Sequence, residues 1–103
     1  MHAIVGFTLV PVGSGVSVSP YIAALERVLE KSGLTFELNA NSTNIEGEWD
    51  RVFAVLRQCH EVVHGEGAPR IHTTIQVGTR TDKEQTMADK LKSVIKRRPL
   101  QTA

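Results

Sequence analysis

The sequence predicts an α+β domain of the ferredoxin-like type. This is a βαββαβ sandwich with two helices on one face of a four-stranded antiparallel sheet, followed by a C-terminal helix. Three observations support the prediction. The 103 residues suffice for one domain with its own core. The spacing of apolar residues along the chain indicates, in order, a strand, a helix, two strands, a helix, a strand and a helix. Glycine, proline or asparagine stands near most of these changes, where turns are expected.

The first strand spans residues 3–12 and carries apolar side chains on both faces, as is typical of a strand covered on both sides. After a Gly-Ser-Gly turn, we expect Ser19 to be the N-cap of a helix, because its hydroxyl can accept a backbone hydrogen bond. Pro20 suits the first helical position, where a missing N–H costs nothing. Gly33 is expected to end this amphipathic helix.

A strand pair and a second helix follow. Residues 34–40 alternate between apolar and polar side chains, which predicts a half-buried strand. Residues 43–48 form a short third strand after an Asn-Ser turn. The second helix is expected over about residues 48–64. Its apolar stripe includes Cys59, which predicts a buried, inert thiol.

A fourth strand over residues 70–77 and a third helix over about 83–96 complete the pattern. Pro99 is expected to end the helix, so the domain covers residues 1–98 and residues 99–103 form a loose tail. The sheet face opposite the first two helices is predicted to be mixed in polarity. We expect the third helix or, preferably, another subunit to cover it, since burial of apolar area is favourable. The predicted members of this face are Ile4, Thr8, Val10, Thr35, Glu37, Asn39, His72, Thr74 and Gln76.

Composition excludes several classes of protein. Apolar residues make up 41% and charged residues 22%, which is typical of a globular protein rather than a disordered one. A single cysteine excludes an intrachain disulfide and a CxxC metal or redox motif. No apolar run is long enough for a membrane span, and the N-terminus lacks the basic region of a secretory signal. We therefore expect a cytoplasmic protein without a membrane partner.

The charge is distributed unevenly. Between Arg80 and Arg98 there are seven Lys or Arg and three Asp or Glu residues, a local charge of +4. This segment is either a solvated helix face or a contact for an anion. Only five aromatic residues occur in the chain, and none interleaves with the basic run, so nucleic acid is not an expected partner.

No catalytic signature is present, and we expect no catalytic residue, no cofactor and no metal site. His60 and His64 have a spacing that can chelate a metal, but no HExxH motif accompanies them. An ordinary surface or interface pair is the preferred interpretation. The segment over residues 13–19 is either a plain connection or an anion contact, and it lacks the ending of a P-loop.

Two carboxylates, Glu46 and Glu48, share one face of the third strand. Such a pair can perform acid–base chemistry, although a solvated pair is more common. A small enzyme acting through Glu46 and His72 is therefore a third and weaker hypothesis, behind a binding protein and an association module.

Three segments of the chain carry a family resemblance: GVSVSPYIAALERVLEKSGLTFEL, STNIEGEWDRVFAVL and RIHTTIQVGTRTDK. Together they contain an S-P-Y helix start, a T-x-I-E-G-E-W-D block, and a T-T-I strand followed by R-x-D. Over residues 3–95 the chain resembles the small thiamine-binding proteins, a family long catalogued as being of unknown function.

The resemblance implies a ferredoxin-like fold and association into dimers or tetramers through the sheets. It also implies binding of thiamine or its hydroxymethylpyrimidine half, as a carrier or sensor without established catalysis. Asn44 stands where the family usually has an aliphatic residue, and Gln76 where it often has lysine. The alternative is a structural or regulatory oligomerisation module with no small-molecule ligand.

A thiamine site needs a carboxylate, hydrogen-bonding groups and an apolar or aromatic wall. Glu46 can accept a hydrogen bond from the pyrimidine amine and offset the thiazolium charge. Trp49 or Phe53 can supply the wall. In the opposing interpretation the threonines only form strands and Trp49 belongs to the core. The expected hydrogen-bonding residues are Ser19, Thr43, Asn44, Thr73 and Thr74.

Overall fold

A computed structural model describes residues 1–13, 15 and 18–97. Within them the element order is β1 (His2–Val12), α1 (Ser19–Ser32), β2 (Thr35–Leu38), β3 (Thr43–Glu48), α2 (Trp49–Gly65), β4 (Arg70–Thr79) and α3 (Met87–Arg97). The strands form one antiparallel sheet in the order β2-β3-β1-β4. This confirms the predicted ferredoxin-like arrangement. The predicted tail over residues 99–103 lies outside the described residues.

The core lies between one face of the sheet and the pair α1 and α2. Alternate residues of β1 point into it, and Val5 is completely buried beside Ile45 of β3. Leu29 of α1 and Val52 of α2 close the core from the helix side. Cys59 is also completely buried, and burial raises the pKa of its thiol to about 11, so it is the inert core residue that the sequence predicts.

The ends of α1 differ in how well the sequence predicts them. Gly33 ends the helix in the left-handed conformation, with φ of 74°, as predicted. The prediction that Ser19 is the N-cap is wrong, because the helix begins at Ser19 itself. Val18 precedes it in a helical conformation, and its carbonyl accepts the N–H groups of Tyr21 and Ile22. Pro20 does lie in the first turn.

The start of α3 is four residues later than predicted, at Met87. Thr86 and Asp89 exchange hydrogen bonds, each backbone N–H donating to the other side chain at 3.1 Å. This reciprocal arrangement is a capping box with Thr86 as the N-cap. The preceding residues form a loop in which Arg80 pairs with Asp82. Helical spacing over 83–86 is therefore coincidental.

Much of α3 extends beyond the domain's own core. Met87 is 6% exposed, whereas Leu91, Val94 and Ile95 are 52%, 61% and 64% exposed. The radius of gyration is 15.7 Å, against about 13 Å for a compact domain of this size. Within the described residues, no helix combines the length and apolar character needed to cross a membrane.

Candidate functional site

The open face of the sheet, opposite α1 and α2, carries two adjacent rows of side chains that meet the start of α3. In one row Glu37, Asn44, Gly6 and Gln76 lie side by side across the four strands. In the next row the order is Thr35, Glu46, Ile4 and Gly78. Asn39, predicted on this face, lies beyond the end of β2. The remaining predicted members occupy the face as expected from strand alternation.

Glu46 is the buried charged residue of this face. Its side chain is only 8% exposed, and its Oε2 atom accepts a hydrogen bond from the backbone N–H of Met87 at 2.9 Å. The same oxygen lies 3.1 Å from Nε2 of His2. The N-terminus of a helix carries a partial positive charge, so the Glu46 carboxylate also attracts the start of α3 electrostatically. Glu46 thus holds α3 against the sheet.

Two adjoining cavities lie between the open face and α3. The smaller has a volume of about 340 Å³ and is lined by Ile4, Gly6, Glu37, Asn44, Gln76, Val77, Gly78, Met87, Lys90 and Leu91. We call it the amide hollow, after Asn44 and Gln76. The larger, about 680 Å³, is lined by His2, Ile4, Gly78, Thr79, Arg80, Lys83, Glu84, Gln85, Thr86 and Lys90. We call it the basic cleft. Ile4, Gly78 and Lys90 line both.

The amide hollow depends on a glycine in the central strand. A Cβ atom added to Gly6 would lie 2.9 Å from Oδ1 of Asn44, closer than such contacts occur in proteins. The missing side chain therefore lets the Asn44 carboxamide lie across β1, toward Gln76 on the other side. Two amides offer both donors and acceptors, and Ile4, Met87 and Leu91 add an apolar wall. The arrangement suits a planar heterocycle with polar edges.

Three of the predicted site residues share this open face. Asn44 lines the amide hollow, and Glu46 lies under the start of α3 beside two residues that line the cavities, Ile4 and Met87. Thr74 is exposed two residues from Gln76 on the same face of β4. Thr74 does not line either cavity.

Two predicted threonines point to the opposite face. Thr43 is buried opposite Phe7 on the helix side of the sheet. Thr73 also faces the helices, where its hydroxyl lies 2.7 Å from Nε2 of His60. The structure does not bring either residue to the cavities.

The remaining two predicted residues belong to helix starts. Trp49 begins α2, packs against the core and lies with its ring centroid 4.7 Å from that of Phe53. Ser19 is the exposed first residue of α1. Neither lines the amide hollow, whose wall is aliphatic rather than aromatic.

Sequence reasoning missed His2, Met87 and Lys90 as residues of the site. The T-x-x-D pattern over residues 86–89 is a signal for a helix start and places Met87 in the first turn. Strand alternation also places His2 on the same face as Ile4. The position of Lys90 follows only from how α3 docks, which no local pattern specifies.

The other candidate groups do not form a second reactive cluster. His60 contacts Thr73, and Nδ1 of His64 lies 2.8 Å from the carbonyl oxygen of Ala68. Within residues 1–13, 15 and 18–97, no three His, Cys, Asp or Glu side chains are grouped to hold a metal ion.

The carboxylates and His72 are likewise separated. Glu48 pairs with the amino group of Met1 at 2.6 Å, so its partner differs from those of Glu46. His72 lies opposite Val10 of β1, whereas Glu46 lies opposite Ile4. Because these two positions are six residues apart along β1, Glu46 and His72 are separated by about 20 Å. The structure therefore does not bring Glu46 and His72 together as an acid–base pair.

Comparison with known proteins identifies relatives over nearly the whole chain. The model of a family described as thiamine-binding proteins matches residues 5–95. A UPF0045 protein of Synechocystis is 53% identical over 94 residues, covering 91% of this chain and 78% of the relative. The crystal structure of a hypothetical protein from Methanocaldococcus jannaschii has a TM-score of 0.82 at 30% identity, covering 90% and 95% of the two chains.

A structure of more distant sequence shares the fold. It is a Thermotoga maritima protein proposed to act in thiamine biosynthesis or salvage, with a TM-score of 0.78 at 15% identity. The match covers 90% of this chain and 98% of that protein.

Proposed function

The chain belongs to the thiamine-binding protein family, and from this premise we propose that it binds thiamine or its hydroxymethylpyrimidine half. The protein acts as a non-enzymatic carrier or sensor in the cytoplasm. The observation that carries the proposal is the amide hollow, which joins two carboxamides to an apolar wall beside the buried carboxylate of Glu46. Its volume of about 340 Å³ falls within the usual range for small-molecule sites.

The chemistry of the hollow matches an aminopyrimidine. The ring nitrogens need donors and the exocyclic amine needs an acceptor, and Asn44 and Gln76 supply both. Ile4, Met87 and Leu91 offer apolar surface to the ring faces. Glu37 lines the hollow, and Glu46, although it lines neither cavity, contacts Met87 of the hollow's apolar wall. Two carboxylates are therefore near enough to favour a cationic thiazolium.

The proposed form is a homo-oligomer assembled through the sheets and α3. The chain exposes 7275 Å², whereas a compact monomer of this mass exposes about 5,700 Å². Besides the three exposed apolar residues of α3, Val10 and Val12 on the open face of β1 are 44% and 38% exposed. A second copy would remove this apolar surface from water.

The same exposed surface favours a second function, an association module that binds no small molecule. In that case the sheet and α3 serve only as contacts between copies. The two functions can be distinguished by measurement. Only the thiamine-binding function requires that added ligand release or absorb heat in a titration and raise the Tm of the protein.

Calorimetric titration of the full chain with thiamine and with hydroxymethylpyrimidine tests the proposal. We expect saturable heat and a rise in Tm, and Glu46→Gln should weaken binding about tenfold or more through loss of the charge. Glutamine keeps an acceptor for the Met87 N–H, so α3 can remain docked. Glu48→Gln is the matched control and should bind normally. Absence of heat and of any Tm change at millimolar ligand would favour the association module.

A further inference from the structure

We propose that the preferred ligand is a phosphate monoester of the thiamine type, with its ring in the amide hollow and its phosphate in the basic cleft. This inference rests on the proposed function and specifies the substrate class of the same site. It is carried by the position and charge of the basic cleft, which the binding of thiamine itself does not require.

The basic cleft is lined by three cationic side chains and one carboxylate, that of Glu84. Arg80 is already engaged, because it bonds Asp82 and donates to Gln85 at 3.1 Å. Lys83 and Lys90 form no ion pair with a carboxylate of the described residues. Two ammonium groups therefore remain to meet an anion at this cleft.

The two cavities are aligned along β1. The amide hollow lies at the row of Gly6, and the basic cleft extends from the row of Ile4 to His2. Lys90 lines both cavities, so it stands at the boundary between them. A ligand with its ring beside Asn44 and Gln76 would direct a substituent past Lys90 into the cleft.

The charges along this path match a zwitterion. Carboxylates are found at the ring end, where Glu37 lines the hollow and Glu46 lies under α3. Ammonium groups occur at the other end, where Lys83 and Lys90 line the cleft. Thiamine carries only the cation, whereas its monophosphate carries the cation and a phosphate with a charge near −2 at neutral pH. The monophosphate thus uses both ends of the site.

The test is a calorimetric comparison of thiamine, thiamine monophosphate and inorganic phosphate at one ionic strength. We expect the monophosphate to bind about tenfold more tightly than thiamine. Charge-assisted hydrogen bonds from one or two lysines to the phosphate contribute enough binding free energy for a tenfold change in Kd. The preference should fall as salt is raised, because both lysines are reached by solvent. Inorganic phosphate should compete weakly with the monophosphate and not with thiamine.

Lys83→Gln and Lys90→Gln, singly and together, assign the effect to the cleft. The double variant should lose the preference for the monophosphate, and Lys83→Gln alone, which changes a residue that lines only the cleft, should keep its affinity for thiamine within about twofold. Lys92→Gln and Lys96→Gln are controls on the same helix that line neither cavity and should keep the preference. Thermal melts of every variant check that the fold is unchanged.

The outcomes separate this inference from the proposed function. If thiamine binds and its monophosphate binds no better, only the inference is overturned. If the preference exists but survives the double variant, the phosphate lies elsewhere and the inference is also overturned. If neither compound binds, the proposed function fails and the inference fails with it.

Discussion

The two faces of the sheet differ in how completely the chain covers them. On the helix face, Val5, Ile45 and Val52 are excluded from water, and α1 and α2 close the layer. On the open face, α3 contributes one buried side chain, Met87, and leaves two cavities beside it. The difference indicates that the helix face stabilises the fold, whereas the open face is accessible to the proposed ligand and to the proposed second copy.

Neighbouring residues of β3 provide the sharpest test of this division. Ile45 faces the core and Asn44 faces the hollow, one step apart on the strand. Ile45→Ala should lower the free energy of unfolding by about 2–5 kcal/mol, because it leaves a cavity in a packed core. Asn44→Ala should cost about 0.5 kcal/mol or less but weaken thiamine binding. Denaturant unfolding and calorimetry measure the two effects.

The reverse pattern would contradict the comparison. If Asn44→Ala unfolds the protein as strongly as Ile45→Ala while thiamine affinity is unchanged, the open face is structural and the hollow is not a site.

A second prediction concerns the exposed apolar surface of α3. Val94→Glu should dissociate the proposed oligomer, since removing a buried valine from each copy costs about 1.5–3 kcal/mol before the cost of placing a charge there. Sedimentation equilibrium measures the change. Ile22→Glu is the control, because Ile22 is 44% exposed on α1, which lies on the sheet face opposite the proposed interface. An oligomer that Val94→Glu leaves intact, or that Ile22→Glu dissociates, would place the interface elsewhere.

The smallest expected effect is a pH dependence of the free energy of unfolding, caused by His60 on the helix side of the sheet. Burial lowers the pKa of His60 from its ordinary value of 6.5, and the nearby His64 lowers it further. The unfolded chain therefore takes up a proton more readily than the folded chain as the pH falls through 6.5. The free energy of unfolding should decrease from pH 7.5 to pH 5.5, and His60→Asn should reduce that decrease.

His72→Asn is the matched control for this prediction, since His72 is exposed on the open face. Urea unfolding at the two pH values is the measurement. An equal pH dependence in His60→Asn and in the unmodified protein would show that His60 does not contribute to it.

Local chemistry in the sequence predicts most of the fold. Gly33 ends α1 because glycine readily adopts the left-handed conformation, and period-2 alternation correctly assigns Ile4 and Gln76 to the open face. The start of α3 is also encoded, in the Thr86 and Asp89 capping box, although helical spacing alone places it too early.

The site is only partly predictable for two physical reasons. Adjacent strand residues point to opposite faces, so Thr43 cannot accompany Asn44, nor Thr73 accompany Thr74, into one pocket on one face. Within the described residues, a long-range hydrogen bond from the Met87 N–H to Glu46 joins the start of α3 to the sheet, and local periodicity does not reveal it. Lys90 and the basic cleft follow from that contact.

Thiamine binding between the open face and α3 is the central claim, and side-chain amide NMR tests it most directly. In a ¹H–¹⁵N spectrum of the full chain, titration with thiamine should shift the side-chain NH₂ signals of Asn44 and Gln76. The indole N–H of Trp49, which lies in the helix layer, should stay in place. Shifts of the Trp49 signal with unchanged Asn44 and Gln76 signals would contradict the account.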